Sequence, residues 1–319
     1  MINSISYKTK QFLSLVIKLS IVIGCCYFIH TKLVENEQMD FSIFYQNLIE
    51  NKVFTLKNCL FLFFFSFFNW FLEITKWHLL ISFIGNSSFK KAMVQSLASL
   101  TTSLITPNRI GEYGAKALYF EKLFRKKIIG LNLVGNFYQM LMTLVFGVVG
   151  FSYFILKHKI EIKMQLVFRF VSVLLFVVFT LFFVCKFLKY KNSYFKKTQD
   201  FMMKIPLVLH LNISFLSLLR FLIFSHQFYF LLLIFNIDVS YIEAISAITS
   251  MYLVASIIPV FPLFDFVTKS SIAVWIFSFF SIEPLTIVSI TTLMWILNIV
   301  LPAIIGSYFV LIFKPNFNK

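Results

Sequence analysis

Charged side chains are scarce in this chain, so the few that interrupt its apolar stretches are the groups able to do chemistry. The densest set is Pro107-Asn108-Arg109-Ile110-Gly111-Glu112-Tyr113-Gly114-Ala115-Lys116. Arg109, Glu112 and Lys116 are three and four residues apart, which places them on one face if the piece is helical. Charges carried into a bilayer are costly, and they face a cavity or one another. Pro107 can end one helix or begin the next, while Gly111 and Gly114 permit close backbone approach. A solvated surface loop is the plain alternative, but apolar segments on both sides favour a buried site. The run Pro259-Val260-Phe261-Pro262-Leu263-Phe264-Asp265-Phe266-Val267-Thr268-Lys269 carries a second set, with Pro259 and Pro262 as its breaking residues. Asp265 and Lys269 are the only charges between Glu243 and Glu283. Such a pair either marks a functional site or fixes a hairpin. The chemistry open to both sets is ion pairing, binding of a charged headgroup, or proton transfer.

Other polar positions are candidates for lining the same interior. Lys76, Asn136, Gln139 and Arg220 belong here. Asn136, Tyr138 and Gln139 also fit inter-helix hydrogen bonding. Arg169 and Arg220 are expected near span ends, with their heads at the interface, and Arg220 has the cavity as its alternative. His226 reads as a satisfied core histidine. The four cysteines, Cys25, Cys26, Cys59 and Cys185, have no metal-ligand spacing, so no metal and no disulfide framework is expected.

The elements that must position these residues are membrane helices. The 319 residues are 59% hydrophobic and only 13% charged, against about 25% charged in ordinary globular domains. A soluble fold cannot bury that much apolar surface, because its helices need a wet face. The net charge of +16 sits at the ends of apolar runs, as the bias toward cytoplasmic Lys and Arg predicts. A soluble basic domain is missing, so nucleic acid is not an expected partner. The expected fold class is all-α: a polytopic integral membrane helical bundle with two interrupted, re-entrant hairpins related as inverted repeats.

Full spans are expected at about 12–29, 54–84, 128–156, 166–188, 207–235 and 284–313. Val22-Ile23-Gly24-Cys25 resembles a lipoprotein cleavage box, but the apolar run continues past it, so a first membrane helix is preferred. A short surface helix is expected at 39–49, with Phe41, Phe44, Tyr45, Leu48 and Ile49 on its apolar stripe. The segments 92–105 and 110–120 form one interrupted hairpin, and 241–280 forms the other. Such backbone is tolerated only where protein or a water-filled cavity surrounds it. Placing both termini in the cytoplasm puts most lysines inside and Glu35, Glu37, Asp40, Glu50, Asp238, Glu243 and Glu283 outside. Lys157, Lys159 and Lys163 also fall outside, against the rule.

The two hairpins align at an offset of 153 residues: Ser103 on Ser256, Ile105 on Ile258, Glu112 on Asp265 and Lys116 on Lys269. Lys76-Trp77 falls on Tyr229-Phe230. One transmembrane domain over 1–319 would hold a first repeat at about 52–127 and a second at about 205–283. Three crossings between the hairpins make the repeats inverted, with their broken helices meeting near the midplane, as in many transporters.

The run from Thr106 to Lys116 resembles the signature proline–arginine–glycine–glutamate hairpin of the lysylphosphatidylglycerol synthase transmembrane region, also called the flippase-like domain family. The resemblance extends over nearly the whole chain. Many relatives have a glycine-rich second turn where this chain has Phe261-Pro262-Leu263-Phe264-Asp265-Phe266, and a Glu-Arg pair where it offers Asn136 and Gln139. The resemblance implies movement of lipids with charged headgroups between leaflets of a bacterial inner membrane, with a lipid-modifying enzyme as a candidate partner. Arg109, Lys116 and Lys269 would attract an anionic headgroup, or Glu112 and Asp265 a cationic one. The soluble lysyltransferase domain is not expected after Lys319, so that reaction is not carried over, and no cofactor is expected. No nucleotide-binding loop is present, so ATP hydrolysis by this chain is not expected. Two other readings stay open: a membrane enzyme using Glu112 or Asp265 as acid or base, and a non-transporting accessory protein.

Overall fold

A computed structural model describes residues 7–34, 41–106, 109–160, 200–201, 203–258 and 262–313. Regular structure among these is helical throughout: α1 (Tyr7–Val34), α2 (Phe41–Glu50), α3 (Leu56–Ser82), α4 (Phe89–Leu104), α5 (Gly111–Leu118), α6 (Lys122–His158), α7 (Leu207–Ile234), α8 (Tyr241–Ile257), α9 (Pro262–Phe277), a 3-10 turn (Ser278–Phe280), α10 (Pro284–Trp295), a π turn (Ile296–Val300) and α11 (Leu301–Ile312). Among the described residues, four helices are long and apolar enough to cross a membrane: α3, α6, α7 and the continuous Pro284–Ile312. The chain is thus an all-α, multi-pass membrane bundle. The crossing expected at 166–188 lies outside the described residues, as do Pro107, Pro259 and Arg169.

The sidedness of α3 shows why these residues form this bundle. Ser66, Asn69, Glu73, Lys76, Trp77 and Leu80 recur at helical spacing and are all buried. The opposite face exposes Phe63, Phe64, Phe67 and Phe71. Phenylalanine outside and polar groups inside reverses the pattern of a soluble helix. In hydrocarbon, apolar rings lose nothing by facing lipid, whereas polar groups must find partners within the protein.

Three antiparallel seams hold the bundle. Along α3 and α7, Leu62 meets Gln227 while Asn69 and Glu73 meet Arg220, so one helix ascends as the other descends. Along α6 and α8, Gly147 lies against Leu253, Gly150 against Thr249, and Lys157 pairs with Glu243 at 3.1 Å. Along α4 and α11, Thr101 donates to the Ala303 carbonyl at 2.9 Å. A side chain at Gly306 would overlap the Leu97 carbonyl oxygen there, so only glycine permits the approach. The Lys157–Glu243 pair gives one of the three lysines that break the expected charge pattern an acidic partner.

The breaks after α4 and α8 come where expected. Gly111 starts α5, its N–H donating to Thr106 Oγ1 at 2.8 Å. A Cβ there would sit 2.7 Å from the Thr102 carbonyl oxygen, so the close approach expected at Gly111 is real. The same expectation fails at Gly114, where nothing lies within 4 Å. Helix α2 also departs from its expected role. Its stripe is split: Phe44 and Leu48 enter the main core beside Phe228 and Ile287, while Tyr45 and Ile49 stay exposed.

Candidate functional site

Helices from the two broken pairs converge. Leu100 and Leu104 of α4 share one apolar cluster with Phe266 of α9 and Trp295 of α10. Beside it lies a cavity of about 460 Å³, open on one side. The first break and all the long helices among the described residues reach it: Asn69 and Trp70 from α3, Arg109 from the first break, and Gln139 and Thr143 from α6. Arg220, Phe224 and Phe228 come from α7, and Met251, Tyr252, Ala255 and Ser256 from α8. Phe266 and Lys269 belong to α9, Thr291, Met294 and Trp295 to α10, and Asn298 and Ile299 to the π turn.

Arg109 holds φ at 57°. That left-handed conformation suits glycine or asparagine and costs a larger residue about 1–3 kcal/mol. Its Nε donates to Ser103 Oγ at 3.4 Å.

Arg220 sits at the middle of α7, which corrects the expectation of a span-end arginine reaching for the interface. Nη1 donates to Glu73 Oε2 at 2.7 Å and Nε to Asn69 Oδ1 at 2.9 Å. Glu73 is shared, because Lys76 Nζ lies 2.7 Å from the same oxygen. That carboxylate is the one anionic partner of the buried Lys76 ammonium among the described residues. Asn69 Nδ2 donates onward to Asn298 Oδ1 at 2.7 Å, and Asn298 Nδ2 to Gln227 Oε1 at 2.9 Å. The π turn makes this possible. Its wider winding leaves carbonyls free, and those of Leu297 and Asn298 accept from Ser66 Oγ at 2.6 Å and from the Trp70 indole at 3.0 Å.

The expected site residues therefore divide. Arg109, Lys269, Gln139 and Arg220 are brought together at the cavity. Glu112 and Lys116 pair with each other at 2.7 Å behind it. Lys116 is 1% exposed, donates to Asn132 Oδ1 at 2.7 Å, and lies 4.3 Å from the Trp77 ring centroid. Trp77 in turn donates to Gln95 Oε1 at 2.8 Å. These contacts lock α5 against α3, α4 and α6. Lys76 belongs to the same interior rather than to the cavity wall, and Asn136 donates to the Tyr113 hydroxyl at 3.0 Å. Asp265 falls on the first turn of α9, but its side chain lies outside the described residues; Pro262 begins that helix.

Asn69, Glu73 and Asn298 were missed as site residues. Ser66, Asn69, Glu73 and Lys76 recur at intervals of three, four and three inside a phenylalanine-rich run, a one-faced polar stripe that the spacing alone could have disclosed. Among the described residues no three His, Cys, Asp or Glu side chains group as metal ligands. Set beside protein-family models, curated proteins and solved structures, the chain matches none of them.

Proposed function

We propose that this protein carries a lipid with an anionic headgroup between membrane leaflets, with the cavity as its headgroup site. The observation that carries the reading is the convergence of Arg109, Arg220 and Lys269 on one cavity inside an apolar bundle. Cations held at membrane depth mark ligand or ion pathways. The strained backbone at Arg109 is a cost borne where its guanidinium faces that cavity. Glu112 is taken up by Lys116 and does not line the cavity, so it offers no carboxylate there to a cationic headgroup.

An inverted repeat supports alternating exposure of this site. At the 153-residue offset, the ends of α4 and α8 coincide, Leu104 falling on Ile257. Exchanging the halves swaps the α4–α11 seam with the α8–α6 seam, and the equivalent helices α3 and α7 run antiparallel. Helix α5 has 8 residues, about 12 Å of rise against a hydrocarbon core of about 30 Å, so the first hairpin is re-entrant in this reading. Its setting would be the bacterial inner membrane, with both chain ends cytoplasmic and Lys157 and Glu243 outside.

The test is leaflet exchange of fluorescent anionic, zwitterionic and aminoacylated lipids in proteoliposomes. Wild type accelerates the anionic lipid most, and Arg109→Gln slows it at least tenfold. Equal slow exchange of every lipid by folded wild type overturns the proposal.

A further inference from the structure

The cavity has far more room than a bare phosphate needs, and its walls are not only basic. Its volume of about 460 Å³ lies within the range of about 300–1,000 Å³ that houses organic ligands. Besides the cations, Trp70, Trp295 and Tyr252 border it. Flat aromatic rings favour the C–H faces of a sugar ring, which are apolar although its edges carry hydroxyls. Among the described residues the Tyr252 hydroxyl has no hydrogen-bond partner, and its ring packs on Phe224 at 4.6 Å between centroids. Buried phenols ordinarily find a partner. Gln139 is held only by two contacts at 3.5 Å, to the Ser217 carbonyl and Arg220, the long limit of a hydrogen bond. A phenol and a carboxamide with spare capacity, beside aromatic faces and guanidinium groups, make a set for a polyhydroxylated ring joined to phosphate.

Building on the proposed anionic-lipid site, we infer that the headgroup is a sugar joined to the lipid through phosphate. Arg109 and Arg220 take the phosphate oxygens, which suit the planar guanidinium fork. Tyr252 and Gln139 take ring hydroxyls, and Trp70 and Trp295 flank the ring. A site built to pair hydroxyls discriminates strongly against a ligand lacking them, because its own polar groups are then left unpaired. The same chemistry would suit a free sugar phosphate, so the lipid chain must be tested separately.

The experiment is tryptophan-fluorescence titration of the full chain in lipid nanodiscs, free of sugar-based detergent. The probes are decyl glucosyl phosphate, decyl phosphate, decyl glucoside and glucose 1-phosphate. Decyl glucosyl phosphate is expected to bind at least tenfold tighter than each of the others. Tyr252→Phe, which keeps the ring, reduces its advantage over decyl phosphate at least threefold without changing the affinity for decyl phosphate. Equal binding of decyl phosphate and decyl glucosyl phosphate overturns the sugar assignment and leaves the anionic-lipid reading standing. Equal binding of glucose 1-phosphate overturns the lipid link. Failure of every phosphate probe to bind folded protein overturns the anionic site itself.

Discussion

Replacing Glu73 by Gln tests whether one carboxylate holds the polar interior together. Glu73 is 8% exposed and Lys76 2%, and Glu73 Oε2 stands 2.7 Å from both Lys76 Nζ and Arg220 Nη1. Glutamine keeps the volume but removes the charge, and Lys76 has no second ion pair among the described residues to fall back on. Breaking a buried pair by deleting one member costs about 3–5 kcal/mol, because the remaining charge is uncompensated. Against a total stability of about 5–15 kcal/mol, that loss is readily measured. Unfolding by SDS in mixed micelles, followed through tryptophan fluorescence, gives the free energy. Removing the lysine as well supplies the control: in Glu73→Gln/Lys76→Met the orphaned ammonium is gone, and Arg220 retains Asn69 and Gln139 as acceptors. The double variant is expected to recover about 0.5–3 kcal/mol relative to the sum of the single losses, the size of coupling between contacting groups. A loss below about 1 kcal/mol for Glu73→Gln, or strict additivity in the double variant, refutes the argument, since a buried and shared carboxylate cannot be so cheaply removed.

Two glycines give opposite expectations. Gly114→Ala meets nothing within 4 Å inside helix α5, so it raises stability by about 0.5–1 kcal/mol in the same unfolding assay. Gly306→Leu drives a side chain into the Leu97 carbonyl and sharply lowers the yield of monodisperse protein. Cysteines at Lys157 and Glu243, whose charged groups are 3.1 Å apart, are joined by a flexible bis-maleimide, which replaces the reach of the two side chains that a direct disulfide would lack. A membrane-impermeant maleimide labels each single cysteine from the same side.

The sequence made the long helices legible because hydrophobic length is a one-dimensional signal. The expected limits 207–235 and 284–313 differ from α7 and Pro284–Ile312 by a single residue at one end. The broken pairs were legible too, since proline, glycine and charge interrupt an apolar run locally. Partner choice was not. Glu112 and Lys116 were correctly spaced to share a face, but which way that face points depends on Trp77 and Asn132, which come from other helices. Arg220 had both the interface and the cavity open to it, and the choice rested on partners, Asn69 and Glu73, that lie about 150 residues away in sequence. The tyrosine singled out by its unpaired hydroxyl, Tyr252, gives no sequence signal at all, because lacking a partner is a property of the fold.

The π turn at Ile296–Val300 acts as a phase shifter. A turn bonded five residues apart admits one more residue than an α-turn, and each residue of an α-helix advances the surface by about 100°. The segments Pro284–Trp295 and Leu301–Ile312 therefore present faces set independently of each other on one continuous rod. The first turns Thr291 and Trp295 toward the cavity, and the second turns Ala303 and Gly306 toward α4. One inserted residue thus lets a single membrane crossing serve as binding wall along one half and as structural spine along the other, so the two tasks can vary in sequence without being rotated into each other's place.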